Sequence, residues 1–359
     1  MRRPVLIFAC AAALAAAGPA GGSTPTPPGQ GAPPAKPAPE SAPKRRSWAD
    51  AQIRLVVSHG LMARDVANFR PDDPLTRGAL ADLVAGLTGR VPAPVVNPSA
   101  PVTIAGLDAK LVRALGLSTA AGDFLRGARA SGLAPPARFG TEVTARLLGL
   151  RYNHPAAEDN LELRPQDTAT RAEAAYSAAR VLRFGGGEIP AVEAAASSFL
   201  LPTLTPWQQR ILTTAFSFVG YPYVWGGTSE RAEAPFGVQA RGGFDCSGFV
   251  WRVYKLQRYA SEGTLADVLR GRTTYAMSGE VTRAKRIPFA KLQPADVLFF
   301  GLDGPRSKPA QVDHAGIYVG GGWFVHSSSG GVTLRQLQGW YRDRFAWARR
   351  PLAEAGLTA

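Results

Sequence analysis

Two short segments in the C-terminal part of the chain alternate between polar and apolar residues and are separated by three consecutive glycines. The segments are 313–319 and 323–327, with Gly320-Gly321-Gly322 between them. Alternation with a period of two predicts strands, and a glycine run between strands predicts a tight hairpin turn. This part of the chain therefore contains antiparallel sheet, which excludes an all-helical fold for it.

The hairpin carries two of the four histidines in the chain, His314 and His326. If Gly320 and Gly322 flank the turn symmetrically, Gly316 faces His326 across the ladder, and paired residues share one face of a sheet. His314 then lies on that same face as a diagonal neighbour of His326. A shift of one residue would separate the two imidazoles, so the prediction depends on the register.

Cys246 precedes a segment with the spacing of a helix. Apolar residues recur there at Phe249, Val250, Val253 and Leu256. Asp245 can cap this helix, which places the thiol in the first turn, where the helix dipole and free N–H groups favour thiolate and stabilise an oxyanion. We therefore expect a reactive thiol with a pKa below the usual value of about 8.5. A cysteine at a helix start can also be a buried structural residue. A base close to the thiol would favour the reactive alternative.

The histidine pair supplies that base. His314 would take the thiol proton and later protonate the leaving amine, while His326 orients His314 and supports its imidazolium form. The two histidines could also bind zinc, but Asp313 lies on the wrong face and the thiol is needed elsewhere, so no third ligand is left. We expect neither a metal nor another cofactor.

The first twenty residues have the pattern of a secretory signal peptide. Arg2 and Arg3 precede an apolar run over 5–17, followed by small residues at 18–20. The run is too short to span a bilayer, so we expect a secreted, extracellular or wall-associated protein with no membrane span once the signal is removed. An uncleaved anchor is the alternative. The net charge of +14 suits an anionic wall polymer, and secretion without any recognition motif argues against nucleic acid.

The N-terminal half has a helical, repetitive pattern. The segments 70–77 and 164–171 are similar, and each is followed by apolar residues at helical spacing. Thr76 and Thr170 are natural N-caps of these helices. A weaker middle copy is expected to have its second helix over 141–150. Repeats of this kind stack helix pairs around one shared core.

Composition divides the chain into segments of different character. Stretches rich in Pro, Ala, Gly and Ser predict linkers. The expected boundaries are a signal peptide at 1–20, a disordered linker at 21–46, helical repeats at 47–185, a second linker at 186–206, the Cys- and His-bearing domain at 207–350 and a tail at 351–359.

The helical region resembles S-layer homology repeats, in which a helix, a loop and a "TRAE"-like helix start recur, usually three times. Thr170-Arg171-Ala172-Glu173 matches that start in full, whereas Thr76-Arg77-Gly78-Ala79 matches it in part. The resemblance implies an all-α repeat domain in which Arg77 and Arg171 help to hold an anionic secondary cell-wall polymer. A helical spacer that binds nothing is the alternative.

Five segments, in order, resemble motifs of the NlpC/p-sixty family of papain-like cell-wall cysteine peptidases. They are GYPYVWGG at 220–227, DCSG at 245–248, LQPADVLFF at 292–300, HAGIYVG at 314–320 and FVHS at 324–327. The resemblance implies an α+β domain with a Cys-bearing helix packed on an antiparallel sheet. It also implies cleavage of amide bonds in peptidoglycan stem peptides, typically between D-glutamate and the diamino acid. Tyr223, Asp245 and Ser247 match positions that line the site and hold the substrate.

Other interpretations remain open beside this one. The stretches 228–241 and 255–286 are longer than the family pattern. A non-catalytic wall-binding protein is one alternative, although the intact Cys246, His314 and His326 argue against it. An amidase or acyltransferase of the same fold is another, because a thioester intermediate is common to hydrolysis and acyl transfer.

Overall fold

A computed structural model describes residues 46–357 of the chain. The expected signal peptide at 1–20 and almost all of the expected linker at 21–46 lie outside the described residues. Within 46–357, none of the helices combines the length and the apolar character that crossing a bilayer requires.

The N-terminal part is helical, as the repeat pattern predicted. Its helices are α1 (Asp50–Ser58), α2 (Arg77–Thr88), α3 (Ile104–Ala114), α4 (Ser118–Ala130), α5 (Phe139–Leu147) and α6 (Arg171–Leu182). Thr76 and Thr170 cap α2 and α6, and each hydroxyl accepts a backbone N–H from three residues further on at 3.2 Å. Both predicted caps are confirmed.

Three extended loops join the helical repeats in a ring of backbone hydrogen bonds. The N–H of Leu75 donates to the carbonyl of Ala169 at 2.8 Å, and the N–H of Ala169 donates to Val102 at 2.8 Å. The N–H of Val102 closes the ring on Leu75 at 2.9 Å. Because each of these residues immediately precedes a capping threonine, the ring sets the starts of α2, α3 and α6 against one another.

The middle copy of the repeat lies earlier in the chain than we expected. Thr103 caps α3 as Thr76 and Thr170 cap their helices, with a hydrogen bond of 3.1 Å from the N–H three residues on. Residues 141–150, where we expected the corresponding helix, hold most of α5 instead. Ile104 stands where the other two copies have arginine, so the arginine motif does not reveal this copy.

The segment 186–206, which we expected to be a linker, is folded. It contains α7 (Glu188–Ser197), and α8 (Pro206–Ser217) begins at its end. Phe199 and Leu204 are buried in the core. The glycines and prolines of this segment suggested a free chain, but its apolar side chains bury enough surface to hold it against the neighbouring helices.

The C-terminal part combines helices with a five-stranded antiparallel sheet of order β6-β5-β4-β3-β7. The strands are β3 (Val297–Gly301), β4 (Val312–Gly320), β5 (Trp323–Ser328), β6 (Gly331–Gln336) and β7 (Phe345–Arg349), beside a small β1 (Thr228–Ser229) and β2 (Gly243–Phe244) pair. The helices are α9 (Cys246–Trp251), α10 (Leu265–Val268), α11 (Thr274–Gly279), α12 (Trp340–Arg344) and α13 (Pro351–Glu354). The expected tail at 351–359 thus begins as a short helix, and Leu352 within it is buried.

Helix α9 carries the cysteine and packs on β4 and β5. Phe249, Val250 and Val253 of the predicted apolar face are buried, whereas Leu256 is exposed at the end of the π-helical turn over residues 252–256. The domain is therefore α+β, with a Cys-bearing helix on an antiparallel sheet, and it follows an all-α repeat domain, as predicted.

One apolar core runs through both parts of the molecule. Phe139 of α5 stacks on Phe216 of α8 with ring centroids 4.6 Å apart. Phe124 of α4 meets Trp323 of β5 edge to face at 5.8 Å. The helical repeats and the sheet therefore share buried surface.

Candidate active site

Strands β4 and β5 bring the two predicted histidines together. Ile317 pairs with Val325 and Tyr318 with Phe324, which is the predicted register. His314 Nε2 lies 2.7 Å from His326 Nδ1. The prediction that the imidazoles share one face is confirmed.

The turn between these strands differs from the symmetric one that we assumed. After Tyr318 the register shifts, and Gly320 pairs with Trp323 rather than with Gly322. All three turn glycines have positive φ, between 59° and 103°. The irregularity lies beyond the histidines, so their alignment is unaffected.

Cys246 is the first residue of α9, and its thiol lies against β4. Its Sγ is 3.9 Å from the carbonyl oxygen of Asp313 and accepts a hydrogen bond from the N–H of Ala315. The sulfur thus faces the backbone on both sides of His314. Because Nε2 of His314 is bonded to His326, Nδ1 is the ring nitrogen left to serve the thiol.

The pKa of Cys246 is raised to about 12, chiefly because the thiol is buried and also because the Asp245 carboxylate lies close. Hydrogen bonds from the N–H groups of Ala315 and Ser247 act in the opposite direction without reversing the shift. The sequence-based expectation of a lowered thiol pKa is therefore wrong for the free site. Helix α9 has only six residues, and desolvation outweighs its dipole.

Burial also keeps the two imidazoles neutral. It lowers the pKa of His314 to about 4, and the nearby Asp313 only partly offsets this effect. The pKa of His326 falls well below its usual value because of burial and then the proximity of His314 and Arg335. Among residues 46–357, no group of three or more His, Cys, Asp or Glu side chains is placed to hold a metal ion.

Aromatic rings enclose the histidine pair and account for its burial. Tyr341 of α12 lies edge-on to His326 at 5.3 Å between ring centroids and 6.2 Å from His314. Phe300 of β3 lies 5.6 Å from His314 on another side. The imidazole hydrogen bond is therefore shielded from water.

Asp245 caps α9 and is tied to the long 255–286 segment. Its Oδ1 accepts from the N–H of Gly248 at 2.5 Å and from Ser247 Oγ at 3.0 Å. Arg272 donates to Asp245 Oδ2 at 3.2 Å and to Ser247 Oγ at 2.7 Å. The structure therefore adds Arg272 to the predicted site residues.

Arg272 also reaches the 220–227 segment. It donates to the carbonyl of Gly226 at 2.9 Å and to that of Gly227 at 3.3 Å. One guanidinium thus joins this segment to the start of α9. The sequence offers no signal for it except a basic stretch in which Arg270 has the same appearance.

Tyr223 lies half-buried at the site. Burial raises its pKa, and the charges of Cys246, Asp245 and Asp159 raise it further. Asp159 belongs to the helical part and accepts a hydrogen bond from the N–H of Trp225 at 3.2 Å. The helical repeats therefore reach the edge of the site, which the sequence did not indicate.

The two arginines of the repeat motif occupy different surroundings. Arg171 donates to the carbonyls of Phe69 at 2.8 Å and Met62 at 2.7 Å, and its guanidinium lies over the Phe69 ring. Arg77 is exposed and lines a cavity of about 360 Å³ together with Lys110. No described contact joins Arg77 to Arg171.

Two family models match this chain. The model of the NlpC/P60 family matches residues 220–350, and the model of the S-layer homology domain matches residues 44–81. The first range contains Cys246 and both histidines, and the second contains Arg77. The first match contains all five segments of the NlpC/p-sixty resemblance, whereas the second contains only the first repeat copy and not Thr170-Arg171-Ala172-Glu173.

Similar proteins share one region with this chain. A gamma-D-glutamyl-L-lysine dipeptidyl-peptidase of Bacillus subtilis is 29% identical over 36% of this chain and 35% of its own length. The probable peptidoglycan endopeptidase LytE of the same organism is 34% identical over 39% of this chain and 34% of its own. The crystal structure of an NlpC/P60 family protein from Bacillus cereus is 26% identical over 42% of this chain and 41% of that chain, with a TM-score of 0.31.

This chain therefore spans about a third of the length of the two curated relatives. Their names apply to whole proteins that contain further sequence. The family match, in contrast, falls on the part that carries the cysteine, the histidine pair and the Cys-bearing helix. Residues 220–350 are accordingly a domain of the NlpC/P60 family, and residues 44–81 belong to an S-layer homology domain.

Proposed function

We propose that this protein is a secreted peptidoglycan hydrolase, a cysteine endopeptidase that cleaves amide bonds of stem peptides. The observation that carries the proposal is the 2.7 Å contact between His314 Nε2 and His326 Nδ1, with the Cys246 thiol against the backbone on both sides of His314. The family match and the names of the relatives support peptidoglycan as the substrate. The signal-like pattern of residues 1–20 supports secretion.

In the proposed reaction, Cys246 Sγ attacks the scissile carbonyl while Nδ1 of His314 takes the thiol proton. The N–H groups at the start of α9 stabilise the resulting oxyanion. His314 then returns the proton to the nitrogen of the leaving amine as the C–N bond breaks, which leaves a thioester on Cys246. Water, deprotonated by His314, attacks the thioester and releases the carboxylic acid and the thiol.

The hydrogen-bond pattern supports this division of roles. For Nδ1 of His314 to accept a proton, its Nε2 must carry hydrogen and donate to Nδ1 of His326. His326 is fully buried, and its own Nε2 has no partner within residues 46–357. It therefore acts on His314 alone, as an acceptor that fixes the tautomer and supports the imidazolium during the reaction.

We propose that the scissile bond joins D-glutamate to the diamino acid. The name of the dipeptidyl-peptidase relative supports a γ-D-glutamyl bond. Tyr223, Asp245 and Ser247 would hold the peptide beside the thiol, and Arg272 would keep Asp245 and Ser247 in place. The same machinery with another acceptor would be an acyltransferase, so the products decide between the two activities.

The test is a digest of defined muropeptides by residues 46–359, followed by mass spectrometry. The wild-type protein should release a fragment with a new amine on the diamino acid. Cys246→Ala should release none, and Cys246→Ser should retain at most a trace, because a buried hydroxyl is a much weaker nucleophile. Cleavage by Cys246→Ala, or transfer of the acyl group to an added amine in preference to water, would contradict the proposed hydrolysis.

We propose, as a second function, that the helical repeats bind an anionic secondary wall polymer. The match of residues 44–81 to the S-layer homology domain supports this. Arg77 is exposed to such a ligand, whereas the guanidinium of Arg171 is bonded to backbone carbonyls, so Arg77 is expected to make the larger contribution. Sedimentation with purified cell walls should fall for Arg77→Gln. Equal sedimentation of the variant would contradict the assignment.

A further inference from the structure

A cavity of about 390 Å³ lies between the helical repeats and the turn that follows β5. Four arginines line it: Arg146 of α5, Arg151, Arg180 of α6 and Arg335 of β6. The remaining lining residues are uncharged, and they include the hydroxyl-bearing Tyr176 and Ser329. No carboxylate therefore faces this cavity, although it is built from two different parts of the molecule.

Arg335 is the cation of this cavity that lacks a protein partner. Within residues 46–357, its guanidinium makes no hydrogen bond and no ion pair, and its nitrogens are not sealed from solvent. Burial lowers its pKa, and Tyr341 is the nearby group that opposes the shift. Because water reaches these nitrogens, a bound anion would replace water as their acceptor and add charge-assisted hydrogen bonds.

Two of the other arginines are held in place by backbone carbonyls. Arg146 donates to Gly330 at 2.7 Å and also to Gly220, and Arg180 donates to Leu148 at 3.1 Å. Arg146 uses both of its terminal nitrogens for one bond each, and Arg180 uses its Nε. A guanidinium has five N–H donors, so donors remain on both.

The carboxylates near the cavity stand behind the arginines and offset part of their charge. Arg151 is paired with two carboxylates, Asp108 and Glu173, which more than offset its charge. Glu188 lies 3.9 Å from Arg180, and Glu142 lies 4.0 Å from Arg146. Burial raises the pKa of Glu142 to about 7, so it cancels the charge of Arg146 only in part at neutral pH. Arg335 is therefore the one lining arginine with no carboxylate paired to it among residues 46–357.

We propose that this cavity binds a phosphate group. A tetrahedral oxyanion accepts hydrogen bonds from several directions, which suits guanidinium groups that converge from α5, α6 and β6. A planar carboxylate would accept from a single guanidinium and would leave the other guanidinium groups without an acceptor. The phosphate would come either free from solution or from a phosphodiester of a wall polymer, and the cavity recognises the chemistry that both share.

Bound phosphate would link the helical repeats to the sheet. Arg335 pairs across the ladder with Phe324, two residues before His326, whereas Arg146 and Arg180 belong to the repeats. A ligand held by both sides stabilises the folded state in proportion to its concentration. Phosphate should therefore raise the melting temperature at constant ionic strength.

The test is calorimetric titration of residues 46–359 with sodium phosphate, at ionic strength held constant with sodium chloride. The titration uses the Cys246→Ala protein, so its outcome is independent of the proposed hydrolysis. We expect saturable binding that weakens at least tenfold in Arg335→Gln. Arg113→Gln, which changes an exposed arginine on α3, is the matched control and should bind as the parent does.

Two results would overturn the proposal. One is the absence of both heat and a melting shift in the parent protein, and the other is equal binding by parent and Arg335→Gln. If Arg335→Gln unfolds, Arg180→Gln replaces it, since Arg180 is partly exposed and its loss leaves the core intact. Addition of poly(glycerol phosphate) separates the sources. If poly(glycerol phosphate) displaces bound phosphate, the site accepts a polymer. If it does not, the site binds the free ion, and either result upholds a phosphate site.

Discussion

Cys246 and His314 share a site in which burial favours the neutral form of each group. The thiol pKa rises to about 12 and the imidazole pKa falls to about 4. An isolated thiolate–imidazolium pair is therefore not the resting state. In the proposed reaction, proton transfer therefore has to accompany attack on the substrate, as it does for a serine hydroxyl beside histidine. The hydrogen bond to His326 would then stabilise the charge that develops on His314.

Alkylation of Cys246 should follow this shift. Because the folded pKa is raised above the usual value of about 8.5, the thiolate fraction at pH 7 is small and grows about tenfold per pH unit. The rate with iodoacetamide should climb steadily from pH 7 to pH 10, without a plateau. Cys246 is the sole cysteine of residues 46–359, so mass spectrometry reads its modification directly.

The same protein unfolded in urea is the control for this measurement. Its alkylation rate should level off near pH 9, where a free thiol is mostly ionised. A plateau of the alkylation rate below pH 8 in the folded protein would mean that the thiol is already ionised at rest.

The raised pKa of Cys246 also predicts that the free energy of unfolding declines above pH 9, since the unfolded state then releases a proton that the folded state keeps.

His326 should be replaceable by a residue that offers an acceptor. In His326→Asn the side-chain oxygen can accept from Nε2 of His314 and preserve its tautomer, so kcat should fall less than about tenfold. His326→Ala removes the acceptor, and kcat should fall by about 10²-fold or more, the range found for general acid–base groups. Steady-state kinetics on a muropeptide measures both values. Similar losses in the two variants would show that His326 serves packing alone.

At this scale the sequence predicted where the candidate groups lie but not what surrounds them. The places of His314, His326 and Cys246 could be predicted because a strand period, a glycine turn and a helix start are local patterns. Arg272 was not predicted, because it belongs to a segment whose apolar residues show no helix or strand period. The path of this segment to Asp245 depends on the whole fold. The thiol pKa was misjudged for the same reason, since burial is a property of tertiary packing.

At the scale of the elements, the meeting of β4 and β5 sets the geometry of the histidine pair. Gly316 lies between the two histidines, and a Cβ there would be 3.0 Å from the carbonyl oxygen of Val325 and 3.1 Å from the Cβ of His326. The strands approach each other closely at this point because the residue has no side chain. The hydrogen bond between the imidazoles depends on that approach.

Gly316→Ala should therefore impair catalysis by pushing β5 away from β4. We expect kcat to fall at least tenfold and the free energy of unfolding to fall by about 1–3 kcal/mol, the usual cost of overpacking. Gly279→Ala is the matched control, because a Cβ at that position meets nothing closer than 3.5 Å. Kinetics and urea unfolding of both variants measure the two effects. Unchanged activity in Gly316→Ala would show that the histidine contact tolerates a wider spacing.

The repeats show how far a motif predicts an element. Thr76 and Thr170 were predicted as caps because each ends one of two similar segments and precedes a helical pattern, and the structure has a third cap at Thr103, followed by Ile104. The element is the same in all three cases because the hydroxyl makes the cap and the following side chain does not. The helix in 186–206 was missed because glycine and proline outweighed a short apolar pattern.

Over the described residues, the helical repeats pack against the NlpC/P60 domain and share its core. Phe139 stacks on Phe216, and Arg146 reaches the turn after β5 through Gly330. Asp159 meets the N–H of Trp225 at the edge of the site. The family matches separate the two parts, but the packing joins them, and sequence patterns carry little information about surfaces that meet only in the folded chain.

This shared core predicts a single cooperative unfolding transition for residues 46–359. Each large aromatic side chain buried between the parts contributes about 1.5–3 kcal/mol, so neither part should unfold alone. Differential scanning calorimetry should give one peak whose calorimetric and van't Hoff enthalpies agree. Residues 207–359 alone should melt at a lower temperature, because Phe216 and Trp323 lose their partners on α5 and α4. Two separate peaks in the longer protein would mean that the repeats and the catalytic domain are energetically independent, and activity would then not require the repeats.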